Sequence, residues 1–190
     1  MKLNMGCGNN QIPDWVNVDK FQACNPDIVE DLEVFPWKFE DNSVSEILFN
    51  HSLEHMGATS EAFLNIMKEL YRICKNGAVI QINVPHPRHD NFINDPTHVR
   101  IITPEVISLF SKKLNNDWIK AKAANSTLGI YLDVDFELTR AEFNLEPKYN
   151  KELQNGELTH KRLNELVRLG NNIISEIRLT VKVNKEDTNV

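Results

Sequence analysis

Cysteine is scarce in this chain: three in 190 residues, Cys7, Cys24 and Cys74, with no CxxC pair among them. An odd count without regular spacing excludes a disulfide frame and a zinc knuckle, and points to reduced thiols in a cytoplasmic protein. Long apolar runs are missing, so no segment reaches the ~20 residues that a membrane span requires. The first residues lack the charged and then apolar pattern of a secretory leader; Met1 runs straight into a strand and a glycine turn. There is no surplus of base either. Lys and Arg number 21 against 27 Asp and Glu, a formal net charge of -6, which argues against a nucleic-acid partner. Repeats and low-complexity stretches are absent. What remains is 41% hydrophobic and 25% charged, the composition of an ordinary globular chain, long enough for one core over residues 1–190.

Residues 2–5 form a short strand candidate ending at Gly6-Cys7-Gly8. Residues 15–18 and 27–29 give two more short strands, and residues 45–50 a fourth. A loop covers residues 31–42, with Pro36, Asp41 and Asn42 as breakers. The clearest helix spans residues 60–74, where Phe63, Ile66, Met67, Leu70 and Ile73 recur at helical spacing. Ser60 is its expected cap and Gly77 its expected stop. A buried strand over residues 78–84 follows, halted by Pro85. After a polar loop, Thr103 and Pro104 open another helix. Residues 130–145 alternate as a bent strand, residues 150–169 contain a helix using Leu163, Leu166 and Val167, and residues 174–183 alternate again. The first strands read as a parallel sheet with crossovers, the last two as an antiparallel pair. The polar tail, residues 184–190, is expected to fray.

Two glycines one residue apart after a strand let the backbone approach a ligand, and ligands in open α/β sheets sit beyond the carboxyl ends of the strands. A tight structural turn is the plainer explanation of Gly6 and Gly8 alone. Asp19 ends the neighbouring strand, where a carboxylate accepts the two ribose hydroxyls of a nucleoside. Asp31-Leu32, with Phe35-Pro36-Trp37 behind it, stands where an adenine edge could be read and its face covered.

The ordered set Leu3-Asn-Met-Gly-Cys-Gly8, Val16-Asn-Val-Asp19, Asp31-Leu32, Asp41-Asn-Ser-Val44 and Asn50-His-Ser-Leu-Glu-His55 resembles the class I methyltransferases, over roughly residues 1–110. More narrowly, it resembles short bacterial members linked to sugar and cell-surface glycan pathways. The resemblance implies an α/β, Rossmann-like, mostly parallel sheet with helices on both faces, an antiparallel C-terminal strand pair, and S-adenosylmethionine as cofactor. It also implies a cofactor-binding half at 1–84 and a substrate-side half at 85–190, with an insertion at about 147–170. By this resemblance Gly6, Cys7 and Gly8 approach the methionine portion, Asp19 holds the ribose, Asp31 and Leu32 flank the adenine, and Asn50 and His51 sit near the sulfonium. Two departures stand out. Relatives often carry an acid where this chain has Asn4, and residues 8–19 are too few for a full crossover helix. The cofactor is therefore expected to be more exposed on that side, or covered by a partner chain.

An alcohol acceptor needs a base, and histidine titrates near neutrality. Five of six histidines fall in two clusters: His51 and His55 around Glu54, and His86, His89 and His98 in the loop after residue 84. Glu54 is placed to orient either of its neighbours. The loop 86–100 admits three readings. It is a polar loop locked by hydrogen bonds and prolines; or a substrate site, with His86 or His89 as base, Arg88 or Arg100 gripping an anion, and Asp90 and His98 beside them; or a metal site of imidazole and carboxylate ligands. Its spacing matches no strong metal motif, so no metal is assigned. Tyr149 and the charged helix after it form either a substrate cover or a homodimer face. The expected acceptor is a small polar molecule such as a sugar or nucleotide sugar, methylated on oxygen. The alternatives are a non-catalytic binding or sensor module on the same fold and a metal-assisted small-molecule methyltransferase. A dinucleotide oxidoreductase is disfavoured because a third glycine and a full βαβ unit are missing.

Overall fold

The computed structural model describes residues 1–185. Its elements in chain order are β1 (Lys2–Met5), β2 (Val16–Asp19), β3 (Ile28–Val29), β4 (Val44–Asn50), α1 (Ser60–Ile73), β5 (Cys74–Pro85), α2 (Asp90–Ile93), α3 (Pro104–Ser108), α4 (Lys112–Ala121), α5 (Leu128–Leu132), β6 (Phe136–Leu145), α6 (Pro147–Gln154), α7 (His160–Leu169) and β7 (Ile174–Val183). They build one seven-stranded sheet in the order β3-β2-β1-β4-β5-β7-β6. Strands β3 through β5 are parallel, and β7 runs antiparallel between β5 and β6. Leu3 of β1 lies opposite Val16 on one side and Ile47 on the other. Chain order reverses at β1, since β2 lies to one side and β4 to the other. Such a switch point opens a crevice at the carboxyl ends of the strands.

The central strands are buried on both faces, so their apolar runs are nearly continuous. Leu3, Met5, Ile47 and Phe49 are fully buried. The expected apolar face of α1 is buried too, and packs into the main core with Ile80, Phe110 and Phe136. At about 1.5–3 kcal/mol per large side chain, this burial is the main attraction holding helix to sheet. A smaller cluster of Leu158, Leu163 and Ile173 lies under α6 and α7, within the excursion between β6 and β7.

Several expected boundaries move. Thr59, not Ser60, caps α1, its hydroxyl accepting from the Ala62 amide at 3.1 Å. The helix passes into β5 at Cys74 with no glycine stop, and Gly77 instead takes a φ of 77° inside β5. The strand expected from residue 130 begins only at Phe136. Residues 128–132 are the short helix α5, placed by the Gly129 amide donating to Leu109 O at 3.1 Å. Asn184 and Lys185 are tied down, donating from their amides to Asp135 O and Asn76 Oδ1. The rest of the expected frayed tail lies outside the described residues.

Residues 6–15 carry the chain from β1 to the parallel β2 with no helix, although such crossovers normally contain one. Side chains take over the helix's role. The buried Asn4 amide donates to Asn10 O at 2.8 Å and to Asn17 Oδ1 at 3.0 Å. Asn17 in turn accepts from the Ile12 amide and donates to Trp15 O and Asp27 Oδ2. One pegged network thus holds the ends of β1, β2 and the approach to β3.

On the other side of β4, Glu69 of α1 anchors the loop before that strand. It accepts from the Trp37 amide at 2.7 Å and from Arg72 through two bonds of 2.8 and 2.7 Å, while Arg72 also holds Asp41 and Phe39 O. The bonds from Arg72 lead in holding the Glu69 carboxyl below its ordinary value of 4.5. A depressed carboxylate contributes stability that is present above its unfolded value and lost as pH falls through the folded one. Glu69→Gln is therefore expected to cost about 1–3 kcal/mol at pH 7. The gap from the native chain should close as pH drops below 4.5. Urea unfolding at several pH values checks this; a gap that stays constant down to acid pH contradicts it.

Candidate functional site

A cavity of about 410 Å³ opens at the carboxyl ends of β1, β2 and β4. Gly6, Gly8, Asp19, Asp31, Leu32 and His51, from four separate stretches of the sequence, all line it. Gly6 has a φ of 67°, and a Cβ placed there would lie 2.6 Å from the Cβ of Ser52. Ser52 holds that position by donating to Met5 O at 2.7 Å. Gly8 has a φ of 50° with open space around an added Cβ. The Gly6 and Cys7 amides both donate to Val18 O, so the turn is folded back onto β2. Asp19, 8% exposed, accepts from the Gly8 amide through Oδ2 at 2.8 Å and from the Phe21 amide through Oδ1 at 2.9 Å. The glycine turn and the strand-end carboxylate therefore meet directly.

Asp31 accepts from the Glu33 amide and stays exposed, while Leu32 is buried and accepts from the Trp37 indole at its carbonyl. Glu30, Glu33, Lys20, Phe21, Met56, His55 and Thr97 complete most of the wall. Sequence reasoning missed these as cavity residues. Glu30 and Glu33 flank a pair it did find. His55 was seen, but not as cavity wall. Thr97 arrives from a loop that folds back over the strand ends, which local pattern does not reveal.

Three expected cofactor residues stand outside the cavity wall. Asn4 is the peg described above. Cys7 is buried, its thiol donating to Gly8 O at 3.4 Å, and burial pushes that thiol up. Asn50 faces Asn83, whose amide donates to it at 3.0 Å.

The loop 86–100 divides. His89 caps α2, accepting from the Asn91 amide, and its Nε2 pairs with Glu146 at 2.9 Å. His86 accepts from the Arg88 amide, and burial followed by Arg88 lowers its pKa. Arg88 donates to Arg168 O and Val167 O at the end of α7. Arg100 donates to Gly57 O and Thr59 O and stacks over Phe63 at 4.8 Å. Both guanidinium groups hold backbone carbonyls. Asp90 starts α2, its amide bound to Asn172. None of these four, nor His89, lines the cavity.

His98 goes elsewhere. It stacks on Phe92 and lies 4.5 Å, centroid to centroid, from His55. Glu54 is the third member of this group. It is 1% exposed, and neither of its carboxylate oxygens has a hydrogen-bond partner among the described residues. Burial raises its pKa to about 7. His51 approaches Glu54 from the cavity side, with Nδ1 at 3.7 Å, and pairs through Nε2 with Glu176 at 2.9 Å. Glu54 thus contacts His51 and not only its chain neighbour.

No protein-family model matches the chain, and no curated protein matches it. Solved structures do. A SAM-dependent methyltransferase from Archaeoglobus fulgidus superposes with a TM-score of 0.64 at 17% identity, covering 95% of this chain and 85% of that one. The chain has the methyltransferase fold. A SAM-dependent methyltransferase from Methanosarcina mazei gives 0.54 at 13% identity, covering 97% and 92%. The 1,6-didemethyltoxoflavin-N1-methyltransferase of Burkholderia thailandensis, solved with bound 1,6-didemethyltoxoflavin and S-adenosylhomocysteine, gives 0.51 at 9%, covering 97% and 71%. The expected Rossmann-like α/β class, with its reversed C-terminal strand and abbreviated first crossover, is what the methyltransferase fold carries here. Among the described residues no helix is long and apolar enough to cross a membrane.

Proposed function

We propose that this chain is an S-adenosylmethionine-dependent methyltransferase acting on a small polar acceptor, with oxygen of a sugar or nucleotide sugar as the methyl-accepting atom. The observation that carries the reading is the convergence of Gly6, Gly8, Asp19, Asp31, Leu32 and His51 on one cavity. Its volume of about 410 Å³ falls in the range of cofactor sites. Fold alone does not fix activity; these residues supply the chemical case. Asp19 presents a carboxylate to a ribose, Asp31 and Leu32 offer an acid and an apolar face to an adenine, and side-chain-free Gly6 and Gly8 leave room beside the turn.

When bound, the cofactor supplies an electrophilic methyl group on a sulfonium. The chain's own task is then to align an acceptor and take its proton. His51 is the base this geometry favours. Its Nε2 is oriented by Glu176 and its ring is half exposed at the cavity wall. His86 and His89, expected as alternatives, are engaged elsewhere. The three free cysteines suit a reducing compartment such as the cytoplasm.

Calorimetric titration with S-adenosylmethionine and S-adenosylhomocysteine tests the cofactor half. Saturable binding at micromolar concentrations is expected, and no heat from either ligand up to millimolar levels defeats the proposal. Transfer of labelled methyl to pooled sugars and nucleotide sugars tests the acceptor half; binding without transfer to any of them leaves the sensor alternative standing in its place.

A further inference from the structure

Glu54, His55 and His98 carry six potential donor atoms, and three of them, one from each residue, lie within 4.8 Å of one another. The hydrogen bonds around the two imidazoles determine which nitrogens are available. Thr97 donates its hydroxyl proton to Asp95 Oδ1 at 2.6 Å, so its oxygen accepts from His55 Nδ1 at 2.9 Å. His98 Nδ1 stands 2.9 Å from the Phe92 carbonyl, which can only accept. Both rings therefore carry their proton on Nδ1 and keep a lone pair on Nε2. Nε2 of His98 faces Glu54 Oε1 at 4.0 Å. Glu54 is 1% exposed with both oxygens unpartnered among the described residues. An ionised carboxylate in that position is costly unless a cation meets it. The backbone reinforces the arrangement: the Val99 and Arg100 amides donate to Glu54 O at 2.9 and 3.0 Å, and so hold the His98 segment against it.

We propose that Glu54, His55 and His98 form a site for a divalent first-row transition metal, bound through one glutamate oxygen and the two Nε2 atoms. Two imidazoles with one carboxylate suit zinc, iron or manganese and not magnesium or calcium, which prefer all-oxygen shells. The outer hydrogen bonds are those that metal-bound histidines carry, each Nδ1–H fixed by an oxygen that sets tautomer and ring direction. With the three donor atoms within 4.8 Å of one another, a metal at the centre of their triangle would need them to move inward by at most ~0.7 Å to reach bonding distance. Three protein ligands leave coordination positions for water or for an acceptor oxygen, and His55 is shared with the cavity wall. That last role, and not metal binding itself, rests on the methyltransferase reading.

The test reads metal without the cofactor. The full chain is stripped with chelator, titrated with Co²⁺, and followed by ligand-field absorption and by metal content. One Co²⁺ per chain with a saturable visible spectrum is expected, together with a rise in thermal midpoint on adding Zn²⁺. Glu54→Gln and His98→Gln should each weaken Co²⁺ binding by at least ~100-fold, beyond the 10–100-fold typical of outer-shell changes. Thr97→Val, which removes only the oxygen orienting His55, should weaken it by about 10–100-fold and covers the case in which either ligand variant fails to fold. His160→Gln, on the exposed start of α7, should bind as the native chain does. Absence of saturable Co²⁺ binding, or binding unchanged by Glu54→Gln, His98→Gln and Thr97→Val, overturns the site. Because no adenosyl ligand enters the measurement, its outcome is separate from the titration that tests the cofactor.

Discussion

Asp19→Asn is expected to weaken binding of S-adenosylhomocysteine by about 100-fold or more. The native carboxylate accepts from the Gly8 and Phe21 amides, one through each oxygen, and has lone pairs left for a ribose diol. The amide variant loses the charge and turns one acceptor into a donor that confronts an amide proton. Hydrogen bonds to a charged group are worth about 1.5–3 kcal/mol each, so losing two of them on the ligand side gives the quoted factor. The turn is also pinned by Gly6 and Cys7 donating to Val18 O, so the fold should survive with a modest fall in thermal midpoint. Calorimetry paired with thermal unfolding checks both parts. An Asp19→Asn chain that binds as tightly as the native one removes Asp19 from the site and, with it, the case for an adenosyl ligand.

Gly6→Ala should produce the largest loss of stability among single substitutions at the cavity. An added methyl would sit 2.6 Å from Ser52 Cβ, on backbone with a φ of 67°. Left-handed backbone costs a residue with a Cβ about 1–2 kcal/mol, and overpacking about 1–3 kcal/mol. The sum of about 2–5 kcal/mol corresponds to a midpoint lower by roughly 4–20 °C in a chain of this length. Gly8→Ala is the contrast. Its φ is also positive, but nothing lies within 4 Å, so only the backbone cost of about 1–2 kcal/mol applies. Adding Ser52→Gly to Gly6→Ala should recover part of the loss, so that the two changes together cost less than their sum. Equal midpoints for Gly6→Ala and Gly8→Ala would contradict the packing account.

The parts of this structure that could be read in advance are those encoded by neighbours in sequence. β1 matches its expected bounds, and the Ile174–Val183 alternation gives β7 directly. The amphipathic repeat locates α1, and Thr103-Pro104 marks the start of α3, where the Thr103 hydroxyl accepts from the Val106 amide. Gly6, Gly8, Asp19, Asp31, Leu32 and His51 could be placed on one crevice because each ends or follows a strand whose carboxyl end faces it. Failures came where distant contacts decide. Residues 130–132 belong to the alternation expected over 130–145, but Gly129 lies so close to the Phe110 carbonyl that a Cβ would meet it at 2.8 Å; that docking selects a helix. Asn4 looks like a weakened cofactor contact until Asn10 and Asn17 are seen around it. That Arg88 and Arg100 hold backbone carbonyls was not legible either, because sequence does not say which carbonyls a fold leaves open. Glu54 was read only as a group that orients His51 or His55, since the isolation of its oxygens depends on residues far along the chain.

The helix-free passage from β1 to β2 has an electrostatic outcome for ligand choice. Phosphorylated nucleotides are commonly received at the amino end of a helix that follows the first strand, where the macrodipole offers partial positive charge. Here that end is missing, and the crevice holds Asp19, Glu30, Asp31 and Glu33 against a single lysine, Lys20. At that end of the crevice a diphosphate bridge would meet repulsion with no compensating dipole, whereas an onium ion would enter a field of counter-charges. The missing helix thus leaves the Asp19 end of the crevice with a field that favours a cationic group over an anionic one.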